Sequence, residues 1–226
     1  MSSVMSISTQ TDRGPALAPP RGAAVAGVIF AVLTIVGLGL VRFAIPTDLS
    51  VPGNWVVEPE RRSAVLYALD LVPFAGIAFL WFIGVLRNRL GELEDRFFAT
   101  VFLGSGLLFI ASLYSTAAAM DALVESARGG NIDSQTYFFG RCLCDGLLNL
   151  FAMKMAGVFM FSTSTVGLRT EVFSRWVAYI GFACAAMLVL VIANWRWITL
   201  VFPIWILLVS TNILLADYRS RQVARA

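Results

Sequence analysis

The sequence predicts an all-α fold, a polytopic integral membrane protein with six transmembrane helices in one bundle and both termini cytoplasmic. Three observations carry this. Apolar residues make up 58% of the 226-residue chain and charged residues 14%, and the apolar ones come in long blocks that a soluble domain of this size would not tolerate. Six blocks approach the roughly 20 residues an α-helix needs to cross about 30 Å of hydrocarbon. The arginines then gather in alternate connections, as the topology of a multi-span protein requires.

Taken in order, residues 1–22 are polar and carry Pro15, Pro19 and Pro20; they read as a disordered cytoplasmic tail. The first helix is expected at 23–45. Its apolar run is longer than the core of a signal peptide and ends in Arg42-Phe-Ala-Ile-Pro46 without a small-residue cleavage site, so it is expected to remain in the mature protein. Helix two covers 63–86 and contains Pro73, and helix three covers 97–120. Helix four covers 137–161 and holds the only lysine. Helices five and six, 175–193 and 197–216, are joined by the short connection Asn194-Trp195-Arg196, and the sixth contains Pro203. Residues 218–226 form a basic cytoplasmic tail. Trp55, Trp176, Trp195 and Trp197 fall at predicted ends, where amphipathic rings favour the headgroup zone, while Trp81 and Trp205 lie deeper.

Six crossings place the N-tail, the connections after helices two and four, and the C-tail on one side. Ten arginines lie there, against Arg61, Arg62, Arg128 and Arg196 on the other, which puts both termini in the cytoplasm by the positive-inside rule. Sixteen of the 17 basic residues are arginine, a bias typical of GC-rich bacterial genomes, so the expected location is the bacterial plasma membrane. The connection 87–96 mixes arginine and acidic residues and reads as a solvated turn or an interfacial segment.

The candidate site residues are the ionisable and polar groups inside the spans: Lys154, Asp145, Arg141, Asp70, Asn149, Asp121 and Arg42. A charge at the centre of a lipid-spanning helix costs on the order of 2.5–3.5 kcal/mol even on the lenient insertion scale, so it normally faces protein or water. At 1.5 Å per residue, Arg141 lies about 6 Å into helix four, Asp145 about 12 Å and Lys154 about 25 Å. Arg141 and Asp145 are four apart, hence on one face and within reach of each other, and Asn149 extends that face by a turn. Asp70, Asp121 and Arg42 come from the outer parts of three other helices. Together these groups predict a polar vestibule facing outward, or an ion-pair network that locks the bundle. Lys154 stands apart. Nine residues from Asp145, about 900° of rotation, it points to the opposite side of helix four, and no acid is expected at its depth.

Absences narrow the chemistry. With no histidine, the usual haem and zinc ligand and the usual proton relay near neutral pH are missing. Cys142 and Cys144 project about 200° apart on a helix and cannot bridge, and with Cys184 they read as small apolar packing residues. No cofactor, metal site or catalytic residue is predicted. The net charge of +3 is modest and spread over many loops, so nucleic acid is not an expected partner; the bilayer, a second copy or another membrane protein are. Three function classes fit: a small-solute or proton-linked transport pathway with a charged outer vestibule, a non-catalytic membrane assembly protein, and, lacking a recognisable nucleophile–base pair, an enzyme acting on a lipid-phase substrate.

Overall fold

The computed structural model describes residues 21–46, 54–56, 58–90, 96–128, 132–170, 174–190 and 197–223. Within these, the chain is an all-helical bundle. The helices are α1 (Arg21–Ala44), α2 (Pro59–Leu90), α3 (Arg96–Arg128), α4 (Ser134–Asp145), a π-helical segment (Gly146–Ala152), α5 (Met153–Thr170), α6 (Arg175–Leu190) and α7 (Ile198–Val223), with a short 3-10 turn at Asn54–Val56. Residues 1–20, the 91–95 part of the connection between α2 and α3, Asn194-Trp195-Arg196 and the last three residues of the expected basic tail lie outside the described residues.

Five of the helical stretches are long and apolar enough to cross a membrane: Gly22–Ala44, Pro59–Arg87, Ala99–Arg128, Ser134–Arg169 and Ile198–Arg219. The fourth joins α4, the π segment and α5 into one rod. The described part of α6 is 16 residues, or about 24 Å at 1.5 Å per residue, and residues 191–193 of the expected fifth span lie outside the described residues. The helices run beyond the expected boundaries: α2 starts at Pro59, α3 ends at Arg128, and the fourth rod runs from Ser134 to Thr170. α1 begins at Arg21, inside the expected tail, and α7 runs on to Val223, so most of the expected basic tail is helix. The outward faces are mainly apolar: Tyr67, Phe74 and Trp81 on α2, Phe139 on α4 and Leu190 on α6 are all more than half exposed, as side chains bathed in lipid should be.

α1 packs along α2 and α7, α5 along α6 and α3. The buried residues form two clusters. The larger contains a layer of phenylalanines, Phe30, Phe79, Phe109, Phe159 and Phe202, each at most 1% exposed, with ring centroids 4.7–6.2 Å apart, in the tilted and edge-to-face geometries aromatic pairs prefer. Small residues let the helices approach here, which is how spanning helices associate when lipid is as apolar as they are. A Cβ on Gly181 would lie 2.0 Å from Ser164 Oγ and 2.8 Å from Trp205 Nε1, and one on Gly27 would lie 2.1 Å from Ser210 Oγ.

The smaller cluster gathers Ala44, Ile45, Trp55, Val65, Val124 and Tyr137 where α1, α2, α3 and α4 meet, at the end of the bundle that also holds Arg42. Trp55 lies at the end of the bundle, as expected, but is covered by protein there. It is 1% exposed, and its indole N–H donates to Tyr137 Oη at 2.6 Å, because the turn at Asn54–Val56 folds back over the bundle. Trp176 and Trp197 do remain exposed, while of the deeper pair Trp81 faces outward and Trp205 is buried, its indole donating to the Val177 carbonyl at 3.4 Å.

Candidate functional site

Between the two clusters lies a cavity of about 300 Å³, at the small end of the range for small-molecule pockets. α1 contributes Leu33, Thr34, Leu38 and Arg42, α2 contributes Leu69, Val72 and Ala75, and α3 contributes Phe109, Leu113 and Thr116. The long fourth rod adds Arg141, Cys144, Asp145, Leu148, Asn149 and Met153, and α7 adds Thr199, Phe202 and Pro203. Phe109 and Phe202, 4.7 Å apart between ring centroids, belong at once to the cavity wall and to the phenylalanine layer. They form its floor.

Of the seven sequence candidates, four line this cavity: Arg42, Arg141, Asp145 and Asn149. Arg42 donates through Nη2 to Thr199 Oγ1 and its guanidinium lies 5.1 Å from the ring centroid of Trp197, a cation–π distance. Arg141 and Asp145 do not make the expected ion pair. Arg141 Nη2 instead donates to the Pro46 carbonyl at 3.1 Å, its Nε is buried without a hydrogen bond, and Asp145 Oδ1 accepts from Asn149 Nδ2 at 2.6 Å. The four-residue spacing that brings Arg141 near Asp145 brings Asn149 near it too, and the shorter amide wins the carboxylate, leaving the longer arginine to reach across to the end of α1.

Asp70 and Asp121 are exposed on the outward faces of α2 and α3 and do not line the cavity. Lys154 is also elsewhere. Its Nζ donates to the Val189 carbonyl at 2.6 Å, one residue before the last described residue of α6. The partner is a backbone carbonyl rather than an acid, and a backbone carbonyl carries no sequence signature. The 900° phase estimate does not carry across the π segment, because that segment does not turn at 3.6 residues, yet Lys154 and Asp145 still face different neighbours.

The π segment is the local feature hydropathy could not reveal. The Met153 N–H donates to the Leu148 carbonyl five residues back, which re-phases the rod so that Met153 joins Leu148 and Asn149 on the cavity wall. Such segments are rare and occur often at functional sites. Two prolines add to it. Each withholds the N–H that would bond the carbonyl four residues earlier, those of Leu69 and Thr199, and both residues line the cavity. Several hydroxyls of the rod and α3 are satisfied by their own helix, as Thr116 by the Ser112 carbonyl and Thr163 by the Phe159 carbonyl; Thr34 Oγ1 on the cavity wall is buried and bonds nothing.

The wall offers two guanidiniums, a carboxylate, an amide and three hydroxyls above an aromatic floor. Cys144, its thiol 3.9 Å from the Thr116 carbonyl, is a free cysteine. Among the described residues no three His, Cys, Asp or Glu converge as metal ligands would. No protein-family model, characterised protein or solved structure is significantly similar to this chain.

Proposed function

We propose that this multi-pass membrane protein is a small-solute pathway in which the cavity holds the solute and the phenylalanine layer is the barrier to onward passage. The carrying observation is the cavity itself: an apolar chamber with a few convergent polar groups, ending on Phe109 and Phe202 inside a helical bundle. Asp145, the carboxylate on its wall, is the group through which movement would be linked to protons. Both termini are assigned to the cytoplasm and the bilayer to a bacterial plasma membrane on the arginine distribution and bias. Reconstituted in liposomes, the protein is expected to speed entry of at least one of benzoate, benzamide and benzylamine above protein-free vesicles. Leu148→Trp, which fills the cavity, abolishes that flux; equal rates with and without protein for all three, with and without a pH gradient, would overturn the proposal.

A second reading, assembly with another membrane helix, is favoured by Asp70. It lies among Tyr67, Phe74 and Ile77 on the outward face of α2, where a carboxylate against hydrocarbon is expensive and a donor from a second copy or another membrane protein would satisfy it. Cross-linking in native membranes that Asp70→Leu leaves unchanged would remove this reading.

A further inference from the structure

Arg141 carries its charge with no acid bound to it. A guanidinium offers five N–H donors. Here one goes to the uncharged Pro46 carbonyl, Nε is buried and bonds nothing, and Asp145 makes no ion pair with it. Asp145 accepts from Asn149 at Oδ1 and, one turn from the arginine, makes no bond to it. Such a cation inside a bundle surrounded by lipid is unfavourable unless something completes it, and a guanidinium is suited to a planar oxyanion, which it meets with two parallel N–H···O bonds.

The rest of the wall limits what that anion can be. Leu38, Leu113 and Leu148 surround the polar groups, and Phe109 and Phe202 close the floor, so the body of the ligand must be apolar. About 300 Å³ suits a compact molecule and excludes one with a long chain enclosed entirely. Asp145, one turn from Arg141, repels a second negative charge. We propose that the cavity selects compact monoanions, a single carboxylate or similar planar oxyanion on an apolar body, with Arg141 gripping the oxyanion and the aromatic floor receiving the apolar end. This rests on the solute-pathway reading and names its substrate class.

The test is saturable binding of labelled benzoate, benzamide and benzylamine to the full chain in nanodiscs, with empty nanodiscs subtracted. Benzoate is expected to bind, benzamide to bind at least about tenfold more weakly, since it loses the charge-assisted bonds, and benzylamine not to bind. Arg141→Gln lowers benzoate affinity by about tenfold or more, and Arg141→Lys, which keeps the charge but not the fork, recovers part of the loss. Should Arg141→Gln fail to fold, Leu148→Trp blocks benzoate with Arg141 intact. Benzamide or benzylamine binding as well as benzoate, and blocked by Leu148→Trp, overturns the anion class and leaves the solute pathway standing. No saturable binding of any of the three removes both.

Discussion

On one side of Phe109 and Phe202 the bundle is filled, and on the other it is left open. The phenylalanine layer puts ring against ring at 4.7–6.2 Å, while the same five helical stretches, a few residues further along, leave about 300 Å³ between them. Unpartnered hydroxyls occur on both sides, but in different settings. Ser164 and Ser210 are wedged against Gly181 and Gly27, where their small size permits close approach; Thr34 faces the cavity. Because lipid is as apolar as leucine, van der Waals packing is a large part of what holds spanning helices together, and an unfilled volume forfeits it. The packed layer is therefore where stability resides. The cavity is a region where stability has been given up.

The most direct way to break that contrast is to remove a ring from the layer. Phe79 touches Phe30, Phe82, Phe109, Phe159 and Phe202, and Phe79→Ala should destabilise by about 3–5 kcal/mol, read as a lower midpoint in denaturing-detergent titration of the purified protein. A loss below about 1 kcal/mol would mean the layer is no better packed than the cavity wall. On the cavity side the sign reverses. Thr34→Val keeps the shape and removes a buried hydroxyl that bonds nothing, so it should raise stability by about 1 kcal/mol in the same titration. A decrease would show that the hydroxyl is satisfied after all.

Two intramembrane cations on one continuous rod sharpen the comparison further. Lys154 ends on a helix carbonyl of α6, whereas Arg141 lies on the cavity wall without an acid. Lys154→Met should lower stability by about 1 kcal/mol, the usual net contribution of one hydrogen bond. The loss should appear as faster hydrogen exchange at the end of α6, with benzoate binding unchanged. Altered binding would mean that Lys154 belongs to the cavity.

Hydropathy and charge were enough to read the all-helical, multi-span class, since lipid permits so few backbone solutions. They were also enough to single out Arg42, Arg141, Asp145 and Asn149, because polar groups stand out in apolar spans. What they could not read was pairing. Whether Asp145 takes Arg141 or Asn149 depends on competition between two partners at the same four-residue spacing, and the Val189 carbonyl that meets Lys154 has no sequence signature. Asp70 and Asp121 looked like vestibule residues by depth alone, but depth does not say which face of a helix turns outward. The π segment was invisible for the same reason: its residues are ordinary, and only the five-residue bond from Met153 to Leu148 marks it.

The smallest effect lies at the start of the rod that carries the cavity wall. Asp133 caps α4, its Oδ1 accepting from the N–H groups of Gln135 at 2.9 Å and Thr136 at 2.8 Å, and its Oδ2 from the Thr136 hydroxyl at 2.7 Å. The Thr136 backbone bond first, and then its hydroxyl, hold the Asp133 carboxyl below its ordinary value of 3.8, because they favour the charged form. A carboxyl depressed in the folded state adds stability that is fully present above its unfolded value and is lost as the pH falls through the folded one. Acidification below about 3.8 should therefore fray the first turn of α4, seen as faster exchange of the Gln135 and Thr136 amides. The Arg141 region, two turns further along, should be unaffected. Asp133→Asn retains an acceptor for the cap and has no proton to gain, so its exchange in that turn should be independent of pH once intrinsic rates are divided out. If the variant frays with acid as the parent does, the titrating group is not Asp133, and the start of the cavity wall is held by something other than this cap.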